Sequence, residues 1–293
     1  MRSRTLFLQS PRYDVEKEET KMVWGKHRKQ IQEKNRERFS SSRRPLVGVA
    51  FGGGALKGTA HIGVLKVLAE YAVPVDMVAG TSIGSAIAAM CASGMNWQQM
   101  YDAFFGCDID SLVRVRPSRM GMIPADGYRD MVRAVTGGRR LEEMNIPCGI
   151  VAVDLVSRQK IVFRRGDTGL AVRASSAIPG IFTPVQLNGM VLVDGYVLDN
   201  CPGDVVRQMG ADIVLAIDLA YPDDSVPANM LDVVSRSLSI AAAEFQVIDA
   251  DVLLQPIDGY KKFMDKQALQ ECYALGEACA RQHIDEILAL LGR

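Results

Sequence analysis

The chain contains 293 residues, which is enough for one large domain or two small ones. Hydrophobic residues make up 48% of it and charged residues 23%, so we expect a globular fold whose core needs no metal or disulfide. No apolar run reaches the roughly 18 residues of a membrane span, and no apolar stretch of about 7 residues near the start marks a secretory signal, so we expect neither.

The six cysteines are scattered along the chain and form no CxxC pair. Such spacing favours structural thiols in a reducing compartment over a redox or zinc site. They are Cys91, Cys107, Cys148, Cys201, Cys272 and Cys279. With no secretory signal expected, this usage predicts a cytoplasmic protein.

Charge is distributed unevenly, although the formal net charge is zero. Residues 1–45 hold 13 of the 34 basic side chains and 6 of the 34 acidic ones, so this arm carries +7 and the remainder −7. Residues 12–39 have few apolar side chains, which is typical of an exposed or partly disordered helix, and 40–45 form a linker. The arm could bind anionic lipid, bind nucleic acid or fold back on its own domain.

From residue 46 onward, strands and helices alternate. Short apolar runs ending at glycine or aspartate are typical of buried parallel strands, and Asn188-Gly189 predicts a hairpin turn. Predicted strands occupy 46–51, 75–79, 146–156, 160–163, 212–217 and 251–255, with the hairpin over 186–193. Predicted helices occupy 57–71, 85–93, 230–246 and 267–291. This order predicts an α/β fold in which helices sandwich a parallel-rich central sheet.

The segment Gly80-Thr81-Ser82-Ile83-Gly84 lies between a predicted strand and a predicted helix. A nucleophile elbow needs this setting, because glycines on either side of the serine relieve the crowding of a sharp turn. The helix that follows also offers free N–H groups to developing negative charge. The alternative is that Ser82 or Thr81 only caps the helix.

A second glycine-rich segment, Gly52-Gly53-Gly54-Ala55-Leu56-Lys57-Gly58, also joins a strand to a helix. Consecutive glycines let backbone N–H groups converge on an anion. The segment fits neither the dinucleotide fingerprint GxGxxG nor the P-loop pattern. An oxyanion hole fits better, because the elbow follows one helix and one strand later.

A nucleophilic serine needs a base, and the three histidines are poor candidates. His27 lies in the charged arm, His61 has the setting of a packed or hydrogen-bonded helix residue, and His283 lies within the last predicted helix. Aspartates at strand ends are the alternative, because such ends cluster at the active edge of a parallel sheet. The candidates are Asp194, Asp154 and Asp218, with Asp126 as a weaker one after a loop.

Four blocks, taken in order, resemble the patatin-like phospholipase family, in its short bacterial branch. The blocks are 52–58 running on to 65, 80–84, 173–180, and 193–195 with Asn200 and Pro202. Lys57 stands where that family has arginine or lysine. Tyr196 departs from the family pattern, which usually has glycine or alanine after Asp-Gly, and its ring could line or narrow an acyl pocket. The resemblance is close over residues 46–220.

The resemblance implies a three-layer α/β/α hydrolase domain over residues 46–293 that uses a Ser–Asp dyad without histidine. Ser82 is then the nucleophile and Asp194 the base of a serine-dependent lipid acyl hydrolase. It also implies an oxyanion hole from Gly52, Gly53 and Gly54, and no metal or cofactor. The other site residues carried over are the elbow glycines Gly80 and Gly84, with Lys57, Gly195 and Tyr196 as candidate support.

The expected partner is a phospholipid, a lysophospholipid or a simple carboxylic ester, and no nucleic acid. Residues 1–45 are a candidate contact with anionic membrane at its inner face, and the oligomeric state is open. Two other functions also stay open. An acyltransferase would pass the same acyl group to an alcohol or thiol, and a non-catalytic membrane-associated module would only bind.

Overall fold

The computed structural model describes residues 43–106, 126–221, 226–227, 230–245, 247–259 and 267–293. The chain divides into two compact units, residues 1–44 and 45–293, and all elements named below belong to the second. The predicted basic arm, apart from its last residues, lies outside the described residues, as does Cys107. Its helix and its membrane contact therefore stay predictions.

The described residues contain one mixed sheet of eight strands. The strands are β1 (Val47–Phe51), β2 (Met77–Thr81), β3 (Cys148–Asp154), β4 (Gln159–Phe163), β5 (Val185–Leu187), β6 (Met190–Asp194), β7 (Ile213–Ile217) and β8 (Val252–Leu254). Their order is β5–β6–β3–β2–β1–β7–β8, and β4 also pairs with β3. β1, β2, β3, β7 and β8 run parallel, whereas β4 and β6 run antiparallel to β3. We call the edge at which the parallel strands end the carboxyl edge.

Helices cover both faces of this sheet. They are α1 (Thr59–Glu70), α2 (Ile83–Ala92), α3 (Trp97–Gly106), α4 (Asp126–Val135), α5 (Thr168–Ser175), α6 (Gly203–Gln208), α7 (Met230–Phe245) and α8 (Gln267–Leu290). On one face, Val205 and Val206 of α6 pack against Ala50 and Ala79 of the sheet. On the other, the ring of Phe51 meets His61 of α1. Every residue of β1, β2, β3 and β7 is buried, as parallel strands covered on both faces require.

The predicted fold class is confirmed. At the predicted hairpin, Asn188 and Gly189 have φ values of 50° and 82°, which suit a type I′ turn between β5 and β6. Helices α3, α4, α5 and α6 are absent from the predicted set. Each has ten residues or fewer, so its periodic signal is weak, and each packs against elements from other parts of the chain.

The five cysteines in the described ranges are free thiols, and all but Cys91 are buried. Cys91 is partly buried as a residue, but protein atoms shield its sulfur from water, which raises the pKa of the thiol to about 12 and keeps it protonated at neutral pH. These surroundings agree with structural thiols.

Helices α1 and α8 touch backbone to backbone through two glycines. A Cβ added at Gly63 would lie 2.2 Å from the carbonyl oxygen of Tyr273, and one at Gly276 would lie 2.0 Å from that of Ala60. Real Cβ atoms do not approach a backbone oxygen so closely, so only glycine fits at either position. The crossing fixes α1, and with it the glycine-rich segment that leads into α1.

Gly276→Ala is therefore expected to destabilise the protein by about 1–3 kcal/mol, because the two helices must separate to admit the methyl group. Urea unfolding followed by circular dichroism measures the change. Gly127→Ala is the matched control, because Gly127 is also helical but has open space around it. The control is expected to be neutral or slightly stabilising, and an equal loss in both variants would contradict the explanation.

Candidate active site

Ser82 is the single residue between the end of β2 and the start of α2, and its backbone has φ 54° and ψ −124°. A positive φ is strained for serine, and such strain is typical of a turn that presents a nucleophile. The glycines of the segment let this turn close. A Cβ at Gly80 would lie 2.1 Å from the carbonyl oxygen of Gly84, and one at Gly84 would lie 2.1 Å from that of Phe51.

Ser82 and Asp194 are brought together by the fold. The Ser82 Oγ donates a hydrogen bond of 2.7 Å to Oδ2 of Asp194. The other carboxyl oxygen, Oδ1, accepts the N–H of Tyr196 at 2.9 Å. The exposed fractions of Ser82 and Asp194 are 8% and 1%, so the pair is held in place and is largely shielded from water.

Strand pairing explains why residues 112 positions apart meet here. Thr81, the last residue of β2, pairs with Val151 of β3. The next residue of β3, Ala152, pairs with Asp194, the last residue of β6. At both Val151 and Ala152, β4 pairs with β3 along one side of the strand. β2 and β6 must therefore pair with β3 along its other side, where they meet end to end. Their antiparallel directions bring the residues at their carboxyl ends together.

Burial dominates the electrostatics of Asp194. Loss of water around the carboxylate raises the pKa of Asp194 to about 7, although the hydrogen bonds from Tyr196 and Ser82 favour the charged form. A carboxylate with this pKa can take up a proton near neutral pH and release it again. General bases work best in this range.

If Asp194 is the base, it acts only when ionised, so kcat/KM for an ester is expected to rise about tenfold per pH unit up to pH about 7 and then level off. A pH–rate profile between pH 5 and 9 on a soluble ester measures this. A carboxylate with an ordinary pKa near 4 would give a flat profile over the same range. A flat profile would therefore contradict the assignment.

Ser175, at the end of α5, is hydrogen-bonded to the backbone of the turn at Ser82. Its Oγ accepts the backbone N–H of Ser82 at 2.9 Å and donates to the carbonyl oxygen of Val151 at 2.5 Å. Ser175 is fully buried. The sequence places Ser175 in the 173–180 block but gives no role to it, because its partners Ser82 and Val151 are 93 and 24 residues away.

If Ser82 is the nucleophile, Ser175→Ala is expected to lower kcat by about tenfold or more with little change in KM, because two buried backbone groups lose their partner and Ser82 loses its fixed position. Steady-state kinetics on one ester separates the two constants. Ser85→Ala is the matched control. Its Oγ donates to the carbonyl oxygen of Ser82, which keeps a second donor in the N–H of Ser85. A fall in kcat of equal size in the control would contradict the positioning role.

The glycine-rich segment passes directly over the serine side chain. A Cβ at Gly53 would lie 3.2 Å from Cβ of Ser82. The N–H of Gly52 donates to the carbonyl oxygen of Ile217, and that of Gly53 donates to the backbone oxygen and Oδ1 of Asn200, at 3.1 and 2.9 Å. The N–H of Gly54 has no hydrogen-bond acceptor among the described residues.

Two side chains that lie C-terminal to these glycines also hold the segment in place. Nζ of Lys57 donates to the carbonyl oxygen of Leu219 at 2.7 Å, which ties the segment to the connection after β7. Nε2 of His61 lies 2.8 Å from the carbonyl oxygen of Gly52. Burial lowers the pKa of His61 to about 4, so the ring is neutral at pH 7 and Nε2 carries the proton that it donates. The expected hydrogen-bonded role of His61 is confirmed.

The other candidate bases have different tasks. Asp154 accepts hydrogen bonds from the Ser157 hydroxyl and from the backbone N–H groups of Val191, Ser157 and Val156. The hydroxyl first, and then the backbone donors, lower the pKa of Asp154 to about 2. Oδ1 of Asp218 accepts a hydrogen bond of 3.2 Å from Nδ2 of Asn200. Asp218 therefore orients Asn200, whose own Oδ1 accepts the N–H of Gly53. The carboxylate of Asp154 stabilises the turn after β3, and that of Asp218 stabilises the glycine-rich segment through Asn200.

The remaining candidates contribute no described contact to the dyad. Nδ1 of His283 is hydrogen-bonded within its own helix, 2.9 Å from the carbonyl oxygen of Cys279. His27 and the side chain of Asp126 lie outside the described part of the chain.

Tyr196 stands beside the dyad and extends away from it. Its ring lies against Gly53, where an added Cβ would come within 3.3 Å of Cδ2. Its hydroxyl lies 2.8 Å from Oγ of Ser239 on α7. Tyr196 therefore links Asp194 and the glycine-rich segment to α7. The preceding residue must be glycine, because a Cβ at Gly195 would lie 2.5 Å from the carbonyl oxygen of Val151.

Comparison with known proteins decides the family. The Patatin family model, described as patatin-like phospholipase, matches residues 49–206, which is more than half of the chain and includes both Ser82 and Asp194. The chain belongs to the patatin-like phospholipase family. Membership supports lipid hydrolase activity in general.

Curated relatives of this patatin-like chain occur in bacteria and mammals. An uncharacterised NTE family protein of Mycobacterium tuberculosis is 32% identical over 226 residues, which are 75% of this chain and 62% of that protein. Patatin-like phospholipase domain-containing protein 7 of Rattus norvegicus is 31% identical over 209 residues, 67% of this chain and 16% of that protein. The chain thus spans under two thirds of the mycobacterial relative and a small part of the mammalian one.

Solved structures share the patatin-like fold at low sequence identity. VipD from Legionella pneumophila superposes with a TM-score of 0.60 and 13% identity, covering 84% of this chain and 68% of that one. The type III effector protein ExoU gives a TM-score of 0.50 and 16% identity, covering 84% and 54%. Among the described residues, no helix combines the length and apolar character needed to cross a bilayer.

Proposed function

We propose that this patatin-like chain hydrolyses the acyl ester bonds of lipids through an acyl-enzyme formed on Ser82, with Asp194 as the general base. The observation that carries the proposal is the 2.7 Å hydrogen bond from the Ser82 Oγ to Oδ2 of a buried carboxylate. Family membership supplies the lipid class, and the strained backbone of Ser82 is a second, independent support.

In the first half-reaction, Asp194 takes the proton of the Ser82 hydroxyl as Oγ attacks the ester carbonyl carbon. Two electrons of the carbonyl double bond move onto its oxygen, which becomes the oxyanion. The intermediate then collapses, the bond to the leaving alcohol breaks, and that alcohol takes the proton from Asp194. The products are the free alcohol and an acyl ester of Ser82.

In the second half-reaction, Asp194 takes a proton from a water molecule, which attacks the acyl carbon. The second intermediate collapses, the bond to Oγ breaks, and the proton on Asp194 returns to Oγ. A free fatty acid leaves and the dyad is restored. One carboxylate with a pKa of about 7 serves both halves, because it gains and loses a proton at similar free energy.

The oxyanion needs backbone donors, and Gly54 is the strongest candidate. Its N–H has no acceptor among the described residues, whereas those of Gly52 and Gly53 are already bound. The N–H of Ile83, first in α2, likewise has no described acceptor, and the residue after the nucleophile often supplies a second donor. One such donor is worth about 2.7–4 kcal/mol in the transition state. The rigid hydrogen bonding of Gly52 and Gly53 would then serve to hold Gly54 in place.

A labelling experiment tests the proposal. A fluorophosphonate probe is expected to label the wild-type chain and to miss Ser82→Ala. The wild type is then screened against phospholipids, lysophospholipids and nitrophenyl esters, with and without an added alcohol. Release of free fatty acid supports hydrolysis, whereas acylation of the added alcohol would make the protein a transferase. Absence of both labelling and turnover would overturn the proposal in favour of a binding module.

A further inference from the structure

Exposed apolar side chains are concentrated around the candidate active site. Nine large apolar side chains are exposed in the described residues, and six of them lie on segments at the carboxyl edge of the sheet or on the helix joined to it. We call these six the apolar rim: Leu155, Val156, Leu198, Tyr221, Val233 and Ile240. Val226 lies on the connection between Tyr221 and α7, and only Tyr71 and Val247 lie elsewhere, on segments that lead into β2 and β8.

The turn after β3 carries the first part of the rim. Val151 pairs with the last residue of β2, so β3 continues for three more residues, or about 10 Å, beyond the end of β2. Leu155 and Val156 follow at once and are 50% and 64% exposed. The hydrogen bonds accepted by Asp154 hold this turn in one conformation. Two exposed apolar side chains thus lie on a hydrogen-bonded turn about three residues beyond the level of the Ser82–Asp194 pair.

Helix α7 carries the second part of the rim. Its Ser239 is hydrogen-bonded to the hydroxyl of Tyr196, whose backbone N–H in turn binds Asp194. Val233 and Ile240 are seven residues apart and therefore share one helix face, where they are 51% and 74% exposed. A single side chain thus connects the base with a helix that presents apolar groups to solvent.

The chemistry of the rim favours lipid over protein. Five of its six side chains are aliphatic, whereas the centres of protein interfaces are rich in Trp, Tyr and Arg. Leu198 follows β6, which ends at Asp194, and Tyr221 follows β7, whose last residue Ile217 accepts the N–H of Gly52.

We propose that the apolar rim docks on the surface of a phospholipid bilayer, so that an acyl ester can reach Ser82 without crossing water. The proposal rests on the lipid hydrolase function proposed above. It differs from the predicted contact of the basic arm, because docking by the rim depends on apolar burial. It therefore needs no anionic lipid and is little affected by salt.

The test measures binding of the full chain to vesicles of pure phosphatidylcholine by co-sedimentation. Every variant carries Ser82→Ala, so no lipid is consumed. Two rim variants are made, Leu155→Ser with Val156→Ser, and Val233→Ser with Ile240→Ser. Each is expected to bind about tenfold more weakly, because two half-exposed side chains no longer enter the apolar phase. Tyr71→Ser with Val247→Ser is the matched control and is expected to bind as the parent does.

The same rim substitutions with Ser82 intact are expected to lower hydrolysis of vesicle phospholipid about tenfold and to leave hydrolysis of a soluble short-chain ester unchanged. Unchanged vesicle binding in both rim variants, or an equal loss in the control, would overturn docking by the rim. Docking by the rim would also be overturned if a rim variant left vesicle binding unchanged but altered the molecular mass measured by light scattering. The rim would then contact a second copy of the chain. Vesicle binding does not depend on turnover, so its outcome stands even if the hydrolase proposal fails.

Discussion

Asp194→Asn is expected to lower kcat/KM for an ester by about 10³- to 10⁴-fold while the protein stays folded. The asparagine amide can keep both hydrogen bonds of the carboxylate, because Oδ1 still accepts the N–H of Tyr196 and Nδ2 can donate to the Ser82 Oγ. What it cannot do is accept the serine proton. The substitution therefore removes the proposed base and leaves the geometry of the pair in place.

Steady-state kinetics of wild type, Asp194→Asn, Ser82→Ala and the double variant measures this effect. Residues that act as a unit are not additive, so the double variant is expected to be no slower than Ser82→Ala alone. Additive losses, or an Asp194→Asn variant with full activity, would show that Asp194 is not the base.

Stability gives an internal control for the same variant. Because burial raises the pKa of Asp194 from 3.8 to about 7, the unfolded chain binds fewer protons than the folded one between these pH values. The free energy of unfolding contributed by this group therefore falls as pH rises through that window. Asp194→Asn removes this penalty and is expected to unfold at a higher urea concentration than wild type at pH 8. A lower midpoint would mean that the lost activity reflects damage to the fold.

Gly53→Ala has the second-largest expected effect, a fall in kcat of about 10²-fold. Its Cβ would lie 2.7 Å from Oδ1 of Asn200 and 3.2 Å from Cβ of Ser82. Asn200 is buried and is fixed by its hydrogen bond to Asp218, so the glycine-rich segment itself has to shift. A displacement of the oxyanion donors relative to Ser82 weakens transition-state stabilisation.

Fluorophosphonate labelling and kcat are measured for this variant beside Gly259→Ala, a glycine with open space around it. The control is expected to keep wild-type activity. If Gly53→Ala also keeps it, the glycine-rich segment does not supply the oxyanion hole. Urea unfolding of both variants separates a shifted segment from a destabilised fold.

Much of the candidate site is visible in the sequence because its determinants are local. The elbow needs glycines on both sides of Ser82, and the segment 80–84 has them between a strand and a helix. The hairpin needs positive φ at Asn188 and Gly189, and these residue types favour that conformation. The choice of Asp194 among several strand-end aspartates came from the family resemblance, because Asp154 and Asp218 also end apolar strands.

The sequence by itself determined the fold class, the turn between a strand and a helix at Ser82 and a set of candidate bases, since apolar periodicity and glycine positions act over a few residues. Only the tertiary structure decided that the backbone N–H of Ser82 rests on Ser175, 93 residues away, and that the N–H of Gly53 is taken by Asn200, 147 residues away. It alone shows which apolar side chains stay exposed on the segments after β3, β6 and β7 and on α7. Such contacts depend on which strands pair and on where their ends meet, and a hydrophobic pattern specifies that a strand is buried without naming its neighbours.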